Sequence, residues 1–370
     1  MKQNIKITQI SIFKANVPLK EPFRIALGVI ETTQFHFIKI NTSAGIYGIG
    51  ETAPYHAVTG ETQRICEAAA VDLGKILIGK NPLDIAGNLQ EMNRYLTFNS
   101  AVKCGFDVAL HDIAGKVAGL PIYTLLGGSK RTIITDQTIS IGTPEIMANK
   151  ALMFKNDGFS AIKVKLGENL ETDLRRIKEI RKIIGPDIKI RVDANQGWDF
   201  PTAMTALRKM EPFNLEYCEQ PLMAWDHENM RRLRESSIIP IAADESVFNN
   251  KDAFKLAANG CCDILNIKLA KSGGIHTAVK IDNIAESAGL PCMIGCMTET
   301  RLGLTAAAHI ATAHKNIKYL DLDGHTFLSI DPVIGGIACK GENITVPEVP
   351  GLGADIDPGF LEKCECNTIN

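Results

Sequence analysis

The chain opens with alternating polar and apolar residues, the pattern of a half-buried β-strand. Residues 4–13 and 34–42 predict two such strands, and Gly45, Gly48 and Gly50 predict a turn region after the second. From about residue 62 to residue 126, apolar positions recur at steps of three and four residues, the period of an amphipathic helix. These patterns predict an α+β unit over residues 1–128.

After Gly127-Gly128, short apolar runs alternate with amphipathic helical segments. The runs in order are TISIG, AIKVKL, IKIRVDAN, LEYCEQP, IIPIAADES, DILNIKLA, PCMIGCM and IKYLDLD. Residues at the ends of successive runs, from Lys163 through Met297 to Asp321, lie 24 to 30 residues apart, which leaves room for one strand, one helix and two loops. We therefore predict a (β/α) barrel over residues 129–324. The Gly- and Pro-rich segment from about 325 to 370 is expected to return to the first domain.

Charge and composition exclude several classes of function. The 40 basic and 42 acidic side chains give a net charge of -2, with no long block of one sign that could follow a phosphate backbone. We therefore expect no nucleic-acid partner. No apolar run approaches the roughly 18 residues that span a bilayer, and the start lacks the pattern of a signal peptide. We predict a cytoplasmic protein without membrane contact, and self-assembly into a homo-oligomer is compatible with the sequence.

Three carboxylates end three successive apolar runs. Asp193, Glu219 and Asp244 follow one another at intervals of 26 and 25 residues. Because each stands at the carboxyl end of a predicted strand, all three should meet on one rim of the barrel, where barrel active sites are built. Each alone could be a strand-end salt bridge, but together they predict a site for a divalent cation. Oxygen-only ligation favours Mg²⁺, with Mn²⁺ as the alternative, over zinc. Asn195 and Asn266 are candidate hydrogen-bond donors beside them.

Lysines flank these carboxylates on either side. Lys163 and Lys165 are two residues apart in one predicted strand, so both point to the same side, and Lys268 ends a strand across the barrel. Lysines are usually solvated surface charges, but inward lysines at two strand ends are candidate bases. We expect Lys163 and Lys165 to lower each other's pKa. Two bases on opposite faces of a metal-bound carboxylate predict removal of the α-proton and its return to the other face, which is racemisation or epimerisation.

The motifs KVK, DANQGW, EQP, ADES and NIKLAKSGG resemble those of the enolase superfamily, in its muconate lactonising enzyme subgroup. The resemblance covers nearly the whole chain and implies a modified (β/α)7β TIM-like barrel with an α+β capping domain. It also implies one Mg²⁺ per subunit, with Lys165 serving the R-configured centre, Lys268 the S-configured centre, and Lys163 adding positive charge. The subgroup contains cycloisomerases, o-succinylbenzoate synthases, N-acylamino acid racemases and dipeptide epimerases, so it does not fix the reaction.

Asp321-Leu322-Asp323 favours one of these reactions. By resemblance, an Asp-x-Asp at the end of the eighth strand is the mark of dipeptide epimerases, in which the pair binds the free ammonium group of the substrate. Paired carboxylates suit a cation and disfavour a dicarboxylate or an N-acyl substrate; helix capping is the alternative explanation. The resemblance also implies that Thr138, Cys296 and Met297 line the substrate site.

Gly28 bears on the second residue of the dipeptide. Epimerases of this type that act on Ala-Glu carry an arginine in the early loop, where this chain has Gly28, and Arg24 lies four residues earlier. Without that cation a buried carboxylate would be disfavoured. Our hypothesis is an isomerase that epimerises the C-terminal residue of Ala-X dipeptides, with X small, neutral or hydrophobic, as in Ala-Ala. The alternatives are an N-acylamino acid racemase or o-succinylbenzoate synthase of the same subgroup, and a non-catalytic metal-binding barrel.

Overall fold

A computed structural model describes residues 5–370 of the chain. The first part is an antiparallel sheet whose strands are β1 (Ile7–Ile25), β2 (Gly28–Thr42), β3 (Tyr47–Thr52) and a last strand, β17 (Glu365–Ile369). Their order across the sheet is β17-β1-β2-β3. The end of the chain therefore completes the sheet that its beginning starts.

The hairpin of β1 and β2 is much longer than the sequence pattern predicts. Of the predicted strand 4–13, residue 4 lies outside the described residues, and the strand continues to Ile25 before the chain turns back at Gly28. Pro18 and Pro22 interrupt the alternation in the sequence, and the structure accommodates them by a shift of strand register between Pro18 and Phe23. The extension carries Phe23, Ile25 and Ile30 beyond the part of the hairpin that pairs with β17 and β3.

The helices beside this sheet are α1 (His56–Thr59), α2 (Gln63–Leu77), α3 (Ile85–Tyr95), α4 (Ser100–Ala118) and α5 (Ile122–Leu125). Of the three glycines expected in a turn, Gly45 is in the turn with a φ of 71°. The expectation is wrong for Gly48 and Gly50, which lie within β3. A Cβ on either would be 2.0 Å from a backbone oxygen of α4. These glycines therefore allow the helix to pack directly on the strand.

The barrel consists of parallel strands joined by helices. Its strands are β5 (Gln137–Ile139), β6 (Ala161–Lys165), β7 (Lys189–Asp193), β8 (Leu215–Glu219), β9 (Ile241–Ala243), β10 (Ile264–Ile267), β11 (Cys292–Ile294) and β12 (Ile317–Leu320). The connecting helices are α6 (Pro144–Asn156), α7 (Leu170–Ile184), α8 (Phe200–Met210), α9 (His227–Ser236), α10 (Asn250–Ala258), α11 (Leu269–Ser272), α12 (Ile275–Ser287) and α13 (Arg301–Ala313). Each predicted run forms one strand. Within residues 5–370, barrel strands that follow one another along the chain also lie next to one another in the sheet.

Hydrogen bonds of residues just before the first strand connect it to the end of the last strand and close the ring. The amide of Asp136 donates to the carbonyl of Leu320 at 3.2 Å, and the amide of Leu322 donates to Thr135 Oγ1 at 2.8 Å. The crossovers α6, α7, α8, α9, α10, α11–α12 and α13 give the (β/α)7β order along the described chain. The predicted α/β class and modified barrel with an α+β capping domain are confirmed.

The segment after the barrel contacts both parts of the molecule. It contains β13 (Val333–Gly335), β14 (Ala338–Lys340), β15 (Asn343–Thr345), β16 (Ala354–Ile356) and α14 (Pro358–Leu361) before β17. Strand β15 pairs with β4 (Ile133–Ile134), which precedes the barrel, whereas β17 pairs with β1. The domain limits at residues 128 and 324 remain predictions. Among the described residues, no helix has the length and apolarity needed to cross a membrane.

Candidate active site

The carboxylates of Asp193, Glu219 and Asp244 meet at the carboxyl end of the barrel. Asp193 and Glu219 are the last residues of β7 and β8, and Asp244 follows β9 directly. All three side chains are fully buried, and one carboxylate oxygen from each lies within 4.8 Å of the others. Burial, and then the Asp193 carboxylate, raise the pKa of Glu219 to about 7. Charges of one sign so close together need a compensating cation.

The oxygen donors fit a hard divalent cation. Glu219 Oε2 lies 2.8 Å from the Lys163 ammonium, yet it accepts no hydrogen bond of ordinary geometry from any described residue. Three buried carboxylates with free oxygen lone pairs match the ligand preference of Mg²⁺ or Mn²⁺. The residues present therefore fit the cation that the sequence pattern predicts.

Strained backbone and amide side chains position these carboxylates. Asn195 and Gln220, which follow Asp193 and Glu219 closely in the sequence, have positive φ angles of 41° and 35°. Such conformations cluster at functional sites. Asn266 Nδ2 donates to Glu219 Oε1 at 2.7 Å, as expected. For Asn195 the donor to Asp193 Oδ1 is the backbone amide, at 2.9 Å, whereas its side chain bonds to Glu245. Gln220, whose role the sequence did not suggest, accepts the amide hydrogen of Asp244 at 2.9 Å.

The lysines converge on the carboxylates from different strands. Lys165 Nζ lies 2.6 Å from Asp193 Oδ2, and Lys268 Nζ lies 2.7 Å from Asp244 Oδ2. Strands β7, β8 and β9 separate the strands that carry these two lysines, and both side chains line one cavity. Lys163 is fully buried, with its Nζ 2.7 Å from Asp321 Oδ2. The structure thus places two amines on different sides of one cavity.

The expected lowering of the Lys163 pKa by Lys165 is wrong for this arrangement of charges. Burial acts to lower the pKa of Lys163, but Asp321, Glu219 and Asp193 together raise it well above its usual value. Likewise, burial acts to lower the pKa of Lys268, but the Asp244 carboxylate raises it above its usual value. The carboxylates that surround each ammonium outweigh the repulsion between lysines because they are closer and more numerous.

Asp321 and Asp323 face the same cavity and are held differently. Thr138 in β5 binds both: its amide donates to Asp323 Oδ2 at 2.6 Å and its hydroxyl to Asp321 Oδ1 at 3.3 Å. Although burial opposes it, Lys163 keeps the pKa of Asp321 below its usual range. Burial, and then the charge of Asp321, raise the pKa of Asp323 to about 7. Cys296 Sγ completes the group at 3.9 Å from Asp323 Oδ1. The pair thus concentrates negative charge on one wall.

The cavity has a volume of about 560 Å³, part of which is open to solvent. The sequence-predicted residues on its wall are Thr138, Lys165, Asn195, Lys268, Cys296, Met297, Asp321 and Asp323. Its apolar and neutral lining was not predicted: Phe23, Ile25, Ile30, Tyr55, Val58, Thr298 and Phe327. In the sequence, the apolar Phe23 and Ile25 alternate with the polar Arg24, which is the pattern of a strand with one apolar face. The neighbouring prolines obscure this pattern. The long hairpin therefore supplies an apolar wall opposite the charged rim.

Gly28 and Arg24 lie outside the residues that line this cavity. Gly28 has a φ of 144°, a conformation that other residues rarely adopt, and a Cβ there would be 3.4 Å from the Tyr55 hydroxyl oxygen. Arg24 Nη1 lies 3.9 Å from Glu168 Oε1 at the surface. The nearest candidate for a substrate-binding arginine thus pairs with an acidic side chain of the protein.

Two sequence families match the chain. Residues 7–127 match the mandelate racemase / muconate lactonizing enzyme N-terminal domain, and residues 146–360 match the enolase C-terminal domain-like family. The chain belongs to the enolase superfamily. The predicted resemblance is thereby confirmed over both the cap and the barrel.

Individual relatives align over nearly their whole length. D-Ala-D/L-Ala epimerase of Cytophaga hutchinsonii is 42% identical, covering 98% of this chain and 100% of the relative. Hydrophobic dipeptide epimerase of Enterococcus faecalis is 41% identical, over 94% and 99%. A crystal structure of the Cytophaga hutchinsonii dipeptide epimerase with Mg and D-Ala-L-Val superimposes with a TM-score of 0.97, covering 99% of this chain and 100% of that one, at 41% identity. The chain is an isomerase of the racemase and epimerase class.

Proposed function

We propose that this protein is a dipeptide epimerase that inverts the α-carbon of the C-terminal residue of Ala-X dipeptides, with X small, neutral or hydrophobic. The observation that carries the proposal is the placement of Asp321 and Asp323 in the cavity that also holds Lys165 and Lys268. One wall suits an ammonium group and another suits a carboxylate beside two proton-transfer groups. A dipeptide carries both charged ends. The names of the similar proteins support this assignment.

Asp193, Glu219 and Asp244 would hold one Mg²⁺ per subunit, with Mn²⁺ as the alternative ion. When bound, the cation would stabilise negative charge that develops on the substrate carboxylate after loss of the α-proton. The Mg in the similar Cytophaga hutchinsonii structure supports this choice. Lys163, fully buried between Asp193, Glu219 and Asp321, adds positive charge on the same side of the cavity.

Lys165 and Lys268 exchange the α-proton. One neutral amine removes the proton from the α-carbon, and the ammonium of the other returns a proton to the opposite face, so configuration inverts and the proton count is unchanged. Lys165 would serve the R-configured centre and Lys268 the S-configured centre. The carboxylate of Asp244 favours the charged form of Lys268, the form that donates.

Asp321 and Asp323 would bind the free ammonium group of the substrate. Their carboxylates and the Cys296 sulfur lie within 4.8 Å of one another, a separation that one ammonium group can bridge. Thr138 donates hydrogen bonds to both aspartates, and Met297 lines the same cavity. Lys163 pairs with Asp321, but Asp323 has no ion-pair partner among the described residues, and an N-acyl group would not supply one, which disfavours the racemase and synthase alternatives.

The apolar wall supports a neutral second residue. Phe23, Ile25 and Ile30 offer no partner for a carboxylate, and Arg24 points to Glu168 instead. The φ of 144° at Gly28 disfavours any residue with a side chain at this position, including a long cationic one. Burial of an unpaired glutamate side chain in such a pocket would be costly.

The test is solvent-deuterium incorporation at the α-carbon, followed by mass spectrometry with saturating Mg²⁺. We expect exchange with Ala-Ala and Ala-Val, at least tenfold slower exchange with Ala-Glu, and none detectable with N-acetyl-Ala-Ala. A kcat/KM for Ala-Glu well above that for Ala-Val would refute the specificity. Faster exchange of the acetylated compound would point to an N-acylamino acid racemase, and no exchange with any dipeptide to a non-catalytic barrel.

A further inference from the structure

Lys271 is a fully buried lysine behind the carboxylate rim. Its Nζ lies 2.5 Å from Asp244 Oδ1 and is hydrogen-bonded to the backbone carbonyl of the same residue. It also donates to the carbonyls of Val247 and Asn266, each at 3.1 Å. The ammonium thus contacts the side chain and the main chain of Asp244 together.

Lys268 and Lys271 approach Asp244 from different sides, although both belong to the NIKLAKSGG motif. Lys268 contacts Oδ2 and lines the substrate cavity, whereas Lys271 contacts Oδ1 and is absent from the described lining. Lys271 therefore has no access to a bound substrate. Any effect that it has on the reaction must pass through Asp244 or through the backbone that it binds.

Asn266 extends this network to a second carboxylate. Its side-chain amide donates to Glu219 Oε1 at 2.7 Å, while its backbone carbonyl accepts from Lys271. A continuous path of Glu219, Asn266, Lys271 and Asp244 thus joins the ends of β8, β9 and β10. Such a path can fix the distance between two carboxylates more firmly than three short strands alone.

Stability alone is a poor explanation for a buried ammonium group. Burying a charge removes its hydration at a large cost in free energy, and well-packed apolar residues often stabilise a fold as well as or better than a buried ion pair. What the ion pair adds here is orientation, because the Lys271 ammonium contacts the Asp244 carboxylate and donates hydrogen bonds to the backbone carbonyls of Asp244 and Val247.

We propose that Lys271 is a positioning residue that holds Asp244, and through Asn266 also Glu219, in the geometry that binds the divalent cation. This inference rests on the proposed Mg²⁺ site. The inference predicts the direction in which Mg²⁺ affinity changes when Lys271 is removed. As a positive charge near the site, Lys271 repels Mg²⁺, so a purely electrostatic role would make its removal tighten Mg²⁺ binding. A positioning role predicts weaker binding.

The experiment is calorimetric titration of the metal-free protein with Mg²⁺, without substrate, for the wild type, Lys271→Met, Lys271→Gln and Lys280→Met. Lys280 is an exposed lysine of α12 and provides the matched control. Partners that orient metal ligands typically contribute about 10- to 100-fold in affinity. We expect a rise of that size in the Kd of Lys271→Met. Lys271→Gln keeps N–H donors without the charge and should fall between Lys271→Met and the wild type. Lys280→Met should match the wild type.

Urea unfolding without Mg²⁺ separates positioning from stability. If Lys271→Met is less stable but its folded form binds Mg²⁺ with the wild-type Kd, the lysine is only structural and the inference is wrong. Tighter binding in both variants would also overturn it. Should Lys271→Met not fold, Lys271→Gln decides by the same criteria. If the wild type does not bind Mg²⁺, the proposed metal site is wrong, and so is this inference.

Discussion

The backbone amide of Thr138 donates a hydrogen bond to Asp323 Oδ2 at 2.6 Å. Thr138 belongs to the first barrel strand and Asp323 follows the last, so this bond spans the closure of the barrel. Gln137 Nε2 adds a second bond to the same oxygen at 3.2 Å. The carboxylate of Asp323 is therefore held by the first barrel strand, whereas its backbone carbonyl is held within its own loop by Thr326.

Replacement of Asp323 by asparagine should lower kcat/KM for free Ala-X dipeptides by about 10- to 100-fold, because a hydrogen bond to a charged group contributes roughly 1.5–3 kcal/mol. Burial raises the pKa of Asp323 to about 7. Its carboxylate therefore forms as pH rises through 7, and KM of the wild type should fall over pH 6 to 8. In Asp323→Asn that part of the pH dependence should disappear. A pH profile that is the same in both proteins would contradict the assignment. Glu286→Gln, at an exposed glutamate, is the control.

The barrel and its polar rim could be predicted from sequence because their signals are local. Each strand is a short apolar run, and Asp193, Glu219 and Lys165 are simply the last residues of such runs. The apolar wall was missed because Phe23 and Ile30 act through a hairpin whose sequence is interrupted by proline. The proposed role of Lys271 depends on carbonyls up to 27 residues away along the chain, which no pattern in the sequence indicates. Local periodicity in the sequence thus locates the site. The residues that surround and hold it are brought together only by the packed structure.

Glu51 and Glu299 should make the stability of the protein fall as pH rises. Burial is the main cause that raises the pKa of Glu51 to about 7 and of Glu299 to about 8. Both groups release protons near 4.5 when unfolded, so between about pH 5 and 8 the folded state binds more protons than the unfolded state. The free energy of unfolding should therefore decrease over this window, by a few kcal/mol in order of magnitude.

Glu299→Gln tests this directly, since glutamine resembles the protonated acid. Urea unfolding at constant Mg²⁺ from pH 5 to 8.5 should show the variant gaining stability relative to the wild type as pH rises. Glu286→Gln again serves as the exposed control and should keep the wild-type slope. Equal slopes for Glu299→Gln and the wild type would show that Glu299 ionises normally in the folded protein.

Gly50→Ala should destabilise the cap. The added Cβ would lie 2.0 Å from the carbonyl oxygen of Gly105 in α4, so helix and strand must separate. Overpacking of this kind costs typically 1–3 kcal/mol in the free energy of unfolding. Gly45→Asn is the control, because nothing lies within 4 Å of that position and asparagine tolerates its positive φ. A wild-type denaturation midpoint for Gly50→Ala would mean that α4 is not packed directly on β3.

Lys165→Ala and Lys268→Ala should each abolish epimerisation. Each variant should still exchange the α-proton of one configuration with solvent, and the two variants should differ in which configuration that is. A positioned general base contributes about 100- to 10,000-fold, so kcat should fall by at least that range. Because we propose that Lys268 serves the S-configured centre, Lys165→Ala should still exchange the α-proton of L-Ala-L-Ala with deuterium but not that of L-Ala-D-Ala. Lys268→Ala should show the reverse. Lys189→Ala, at an exposed lysine that begins β7, should behave as wild type. Epimerisation in both directions by either active-site variant would rule out two bases, because a single lysine would then have to reach both faces of the same carbon.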